Sequence, residues 1–164
     1  MPILEQGTYF VYSVQPEDTL YSIANRFGSN VPAVSVMNAV YPPFTDPGMI
    51  YPKDRLIIPY PYSPRAHVYY VVQPGDTIQS IAQSFAVSTK RLVEANPQLN
   101  NPDAIEEFEL LEIPSRIYAV NTRDSLNSIS RQTGTPVQRT IQANQGRSSF
   151  SPDVLYPGYG LIIP

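Results

Sequence analysis

Tyr70-Val71-Val72-Gln73-Pro74-Gly75-Asp76-Thr77-Ile78-Gln79-Ser80-Ile81-Ala82 is the run that decides the fold, because its pattern is written three times along the 164 residues. The pattern reads Tyr-x-Val-(Gln/Asn), two residues, Asp-(Thr/Ser)-(Leu/Ile)-x-Ser-Ile, then an Asn and a closing Ile-Pro. The first copy carries it on Tyr12, Val14, Gln15, Asp18, Thr19, Leu20, Ser22, Ile23, Asn38 and Ile58-Pro59. Asn96 and Ile113-Pro114 complete the central copy. The last has Tyr118, Val120, Asn121, Asp124, Ser125, Leu126, Ser128, Ile129, Asn144 and Ile163-Pro164. The Asp and the Asn stand 20 positions apart in each. A repeat of about 48 residues overrides the one or two domains that length alone suggests. The chain therefore reads as three units, 9–60, 68–114 and 117–164, with a Pro/Tyr-rich linker at 61–67 and a short joint at 115–116.

Composition narrows what such units can do. Each is close to the lower size limit for a self-sufficient core. The chain has no Cys, so neither a disulfide nor a thiolate metal site can reinforce one. Net charge is −3 with 15% charged residues and no basic run. That balance excludes nucleic acid as a partner and gives no electrostatic reason to bind anionic lipid. No stretch approaches the roughly 20 apolar residues of a membrane span. Met1-Pro2-Ile3-Leu4-Glu5-Gln6 lacks the basic start and apolar run of a signal peptide. The chain is expected to be made without a leader or to have lost one.

Within the central unit, Val68-Tyr69-Tyr70-Val71-Val72 is β-branched and aromatic and predicts a short strand, which Pro74-Gly75 ends in a turn. Asp76 or Thr77 can cap the helix that follows. Ile78, Ile81, Ala82 and Phe85 recur at helical spacing, as do Leu20, Ile23, Ala24 and Phe27. The third copy begins with Leu126 and Ile129 but continues with Ser130 and Thr133, so its first helix should bury the least. Ser88-Thr89 can cap a second helix, Val31-Pro32 places Pro in a first turn, and Asn96-Pro97 breaks the helix. Leu56-Ile57-Ile58, Leu111-Glu112-Ile113 and Leu161-Ile162-Ile163 predict closing strands, each stopped by Pro. The expected class is α+β: three tandem small βααβ domains, each a two-stranded antiparallel sheet with two helices on one face. The two Pro and two Tyr of 60–67 predict a stiff spacer. Ser115-Arg116 is short enough to force units two and three together.

The opening motif, the fixed Asp-to-Asn distance and the threefold recurrence together resemble the lysin motif, the LysM domain, over nearly the whole chain. The central copy keeps Pro-Gly-Asp-Thr; the first has Pro-Glu-Asp-Thr and the third Thr-Arg-Asp-Ser. The resemblance implies a βααβ fold that binds polymers of N-acetylglucosamine, such as peptidoglycan and chitin, in a groove between two loops. By position, the first loop is Glu17-Asp18-Thr19-Leu20, Gly75-Asp76-Thr77-Ile78 or Arg123-Asp124-Ser125-Leu126. The second is Gly48-Met49-Ile50, Asp103-Ala104-Ile105 or Asp153-Val154-Leu155. Backbone groups from two loops can bond the sugar's amide, and Ala104, Val154 or Ile78 can receive its methyl. No cofactor is implied.

Each residue also has a plainer reading. Asp18, Asp76 and Asp124 are expected to cap helices; Thr19, Thr77 and Ser125 either cap or contact sugar. Asn38, Asn96 and Asn144 should end the second helix and tie the following loop. Tyr12, Tyr70 and Tyr118 belong in strand cores. Tyr41, Phe44, Tyr51, Phe150, Tyr156 and Tyr159 can stack on sugars or pack between units. Catalysis has little to stand on: His67 is the single His, and the acidic run Asp103, Glu106, Glu107, Glu109 and Glu112 lies in one loop and strand. Because the given residues end with the third motif, no catalytic domain is expected beside the three units. The expectation is a non-enzymatic binder of N-acetylglucosamine polymers at a cell wall, spore surface or extracellular site. The competing expectation is an assembly protein of a spore coat, envelope or appendage, built on self-association or envelope-protein contacts. If one groove alone binds, the central copy is favoured.

Overall fold

The β-branched and aromatic opening and closing runs form paired strands in every unit, several of them buried along most of their length. The computed structural model describes residues 7–40, 50–60, 67–147 and 149–164. Unit one is β1 (Thr8–Ser13), α1 (Leu20–Arg26), α2 (Val31–Asn38) and β2 (Arg55–Tyr60). Unit two is β3 (His67–Val71), α3 (Ile78–Ser84), α4 (Thr89–Glu94) and β4 (Leu110–Glu112). Unit three is β5 (Arg116–Ala119), α5 (Leu126–Thr133), α6 (Val137–Asn144) and β6 (Gly160–Ile163). Each follows the βααβ order with its two strands antiparallel, matching Val11 with Ile57, Tyr70 with Leu111 and Tyr118 with Leu161. Helix α5 buries only Leu126 and Ile129, whereas α1 and α3 each bury three residues.

The polar residues of the motif hold these elements. Thr19, Thr77 and Ser125 are the N-caps, each in a reciprocal box with the Ser three residues on. The aspartates before them are not caps. Their Oδ2 atoms accept the phenol O–H of Tyr12, Tyr70 and Tyr118 at 2.6, 2.6 and 2.7 Å and the backbone N–H of Gln15, Gln73 and Asn121 at 2.8 Å. Each Asp therefore staples its loop to the opening strand. Burial and the bond to Asp76 push the Tyr70 phenol up to about 12. The asparagines tie the second helix to the closing strand, and Asn96 and Asn144 also accept from Gln98 and Arg147 of the segment that follows the helix. Asn96 Nδ2 donates to Leu92 and Glu112 carbonyls, and its Oδ1 accepts from the Glu112 N–H at 2.8 Å. Asn38 and Asn144 repeat this with Ile57 and Ile162.

The joining of units departs from the sequence reading. Units one and two, separated by the longer linker, share one four-stranded sheet in the order β2-β1-β3-β4. Its centre is a parallel pairing of β1 with β3, Thr8 against His67 through Val11 against Tyr70. Residues 61–66 of that linker lie outside the described residues. Unit three keeps its own two-stranded sheet and docks through helices. Arg139 donates to the Ala86 carbonyl at 2.9 Å and Gln142 to that of Gln83 at 2.6 Å.

Unit three also meets unit one, around a buried arginine. Arg147 is 6% exposed and donates to Asn144 Oδ1, to the Gly160 carbonyl and to Asn38 Oδ1, with its guanidinium 4.5 Å above the Tyr159 ring. No carboxylate among the described residues pairs with it. Burial lowers its pKa, partly offset by Tyr159. Beside it, a Cβ on Gly160 would run into Met37, and one on Gly158 would come within 2.6 Å of Val36.

Candidate functional site

In each unit, described residues of both loops fall in or against the same apolar cluster. Ile50 and Leu20 are buried in one cluster; Ile105 packs against the cluster that contains Ile78, and Leu155 against the one that contains Leu126. Leu20, Ile50, Ile78 and Leu126 are therefore core residues, between 4% and 7% exposed. Of the three side chains expected to receive a sugar methyl, Ile78 lies in the core cluster. Ala104 and Val154 remain exposed on the second loops. Gly48 and Met49, like Tyr41 and Phe44, lie outside the described residues.

Each loop also carries an exposed rim. Glu17 and Thr19, Gly75 and Thr77, and Arg123 and Ser125 form the first; Asp103 with Ala104 and Asp153 with Val154 form the second. Asp18, Asp76 and Asp124 sit behind the rim, committed to their tyrosines. The residue before each Asp is left-handed, with φ of 72° at Glu17, 88° at Gly75 and 77° at Arg123. Glycine alone adopts this without a Cβ penalty. Nothing lies within 4 Å of a Cβ built on Gly75, so the central loop presents bare backbone to solvent. The N–H groups of Gly75 and Ile105 have no internal acceptor among the described residues. Asp103 and Ala104 N–H groups are held by Asn101.

The candidate stacking aromatics divide. Tyr51 and Tyr156 are 61% and 44% exposed, Phe150 packs against the third cluster, and Tyr159 is buried under Arg147. Sequence reasoning missed Arg147, which lies outside the repeated pattern. His67 forms a 2.7 Å contact with Glu112. Among the described residues no group of three or more His, Cys, Asp or Glu is placed to hold a metal, and no helix is long and apolar enough to cross a membrane.

Comparison with known proteins agrees with this architecture. The LysM domain family matches residues 12–59, 70–114 and 118–164. Bacillus subtilis YdhD, named a sporulation-specific glycosylase, is 34% identical over 106 residues, covering 65% of this chain and 22% of YdhD. The secreted LysM effector ECP6 of Passalora fulva is 27% identical over 93% of this chain and 76% of its own length. Among solved structures, the Bacillus cereus spore cortex-lytic enzyme SleL shares 24% identity over 65% of this chain and 22% of its own, with a TM-score of 0.46. The chain thus spans about a fifth of YdhD and of SleL.

Proposed function

The chain belongs to the LysM domain family, a family of carbohydrate-binding modules, and we propose that it is a non-catalytic protein that grips N-acetylglucosamine polymers through the paired loops of its units. Peptidoglycan is the proposed natural ligand and chitin oligomers are a workable surrogate. The observation that carries this reading is the exposed pair of loops in unit two, anchored on one apolar cluster through Ile78 and Ile105, with Gly75 and Ile105 N–H groups on the rim that have no acceptor among the described residues. Such a rim suits an uncharged N-acetyl sugar, which offers an amide, hydroxyls and a methyl group. The central unit is the favoured site, because Gly75 lets a sugar approach the backbone where Glu17 and Arg123 interpose side chains. Binding through more than one unit raises avidity by roughly 10²–10⁴ when the geometry permits.

The names of YdhD and ECP6 support a spore-surface, cell-wall or extracellular setting. Co-sedimentation with purified insoluble peptidoglycan and with chitin tests the reading. The protein is expected in both pellets without releasing soluble muropeptides or reducing ends. Recovery in both supernatants would contradict it. Exposed Tyr21, Tyr51, Phe108 and Tyr156 favour a second reading, assembly through protein contacts. A monodisperse monomer at high concentration would count against that alternative.

A further inference from the structure

Resting on the carbohydrate-binding reading, we propose that the cleft between units one and two receives a carboxylate borne by the glycan, so that the protein prefers acid-bearing peptidoglycan strands to neutral chitin. The cleft follows from the parallel pairing of β1 with β3, which brings the ends of both opening strands, and hence both first loops, to one side. Gln15 Nε2 donates to Gln73 Oε1 at 2.8 Å across the seam. A space of about 440 Å³ opens there, with Lys53, Arg55, Tyr70 and Asp76 among its walls.

The charges in this cleft are unevenly used. Lys53 and Arg55 have no carboxylate within 4 Å among the described residues. Asp76 shares the wall, but its Oδ2 already accepts from Tyr70 and the Gln73 N–H. The Arg55 guanidinium lies 5.2 Å from the Tyr70 ring centre and 5.4 Å from that of Phe85. Two rings hold its planar fork in place and lower the cost of ordering it. Arg55 also borders a second depression, of about 610 Å³, lined by Ser80, Gln83, Ser84, Gln142 and Gln145. Hydroxyl and amide groups therefore continue past the cation toward unit three, where they can bond sugar. A neutral chitin chain has no use for the two cations, whereas peptidoglycan carries carboxylates on its peptide substituents. A charge-assisted bond to such a group is roughly twice as strong as a neutral one.

Calorimetric titration of the full chain with three probes of equal sugar length tests this. The probes are chitotetraose, a peptidoglycan tetrasaccharide with free carboxylates, and the same fragment with its carboxylates converted to methyl amides. The acidic fragment is expected to bind about tenfold more tightly than the other two, as one charge-assisted bond allows. This advantage should shrink at high salt and vanish in Lys53→Gln/Arg55→Gln. Because Arg55 packs on core rings, exposed Lys53→Gln alone is the second variant, expected to lose about threefold of the advantage. Equal wild-type affinity for all three probes overturns the cleft and leaves the carbohydrate reading intact. An advantage retained in both variants overturns the assignment to these residues, and failure to bind any probe overturns both proposals.

Discussion

Glu17, Gly75 and Arg123 hold the same left-handed turn with different side chains. The two non-glycine residues bear strain of roughly 1–2 kcal/mol, partly offset by glycine's greater entropy loss on folding. Glu17→Gly and Arg123→Gly should therefore each raise stability by about 0.5–1 kcal/mol in urea denaturation, and Gly75→Ala should lower it by a similar amount. The tyrosine beside each turn makes a second prediction. With the Tyr70 pKa raised from 10.0 to about 12 in the folded state, the folded chain retains a proton that the unfolded chain releases above pH 10. Stability from this group is fully present below about pH 10 and is lost as pH rises toward 12. Tyr70→Phe should flatten the alkaline fall in the urea midpoint. The repeated Tyr and Asp were legible as structural residues, but their mutual bond was not. It spans six residues across a turn, and no spacing rule announces it. The cap was read on the wrong residue: the Asp was expected to cap, whereas Thr19, Thr77 and Ser125 do so, each in a box with the Ser three residues on that the preceding Asp cannot form.

At the scale of elements, each unit hangs on one buried asparagine joining its second helix to its closing strand. Asn96→Ala would leave the Leu92 and Glu112 carbonyls and the Glu112 N–H without this partner. A loss of about 2–4 kcal/mol is expected from thermal unfolding, against about 1 kcal/mol for Thr77→Ala, which removes a cap alone. The βααβ order was readable because β-branched and aromatic runs flank apolar residues at helical spacing within the copies. The parallel seam of β1 and β3 was not, because pairing between units leaves no mark on either strand's own pattern. His67, Val68 and Tyr69 look the same in an edge strand and a central one. The shared apolar cluster explains why Leu20, Ile78 and Leu126 recur in the motif: they anchor the first loop on it.

Across the whole molecule, Arg147 links units one and three through Asn38, Asn144, Gly160 and Tyr159. Arg147→Ala should cost on the order of 2–3 kcal/mol, by stranding carbonyl acceptors and opening a void beside Tyr159. Hydrogen exchange should speed up first in unit three. The repeat reveals three folds but hides this clasp, because Arg147 belongs to no copy of the pattern. It likewise hides which rims face a ligand, since that depends on residues where the copies differ. The central claim is that the rims, not the recurring core, hold the sugar. Residue-resolved chemical-shift titration with chitotetraose tests it most directly. The account predicts shifts at Gly75, Thr77, Ala104 and Ile105 before any others; an unchanged spectrum at saturating sugar, or shifts confined to units one and three, would contradict it.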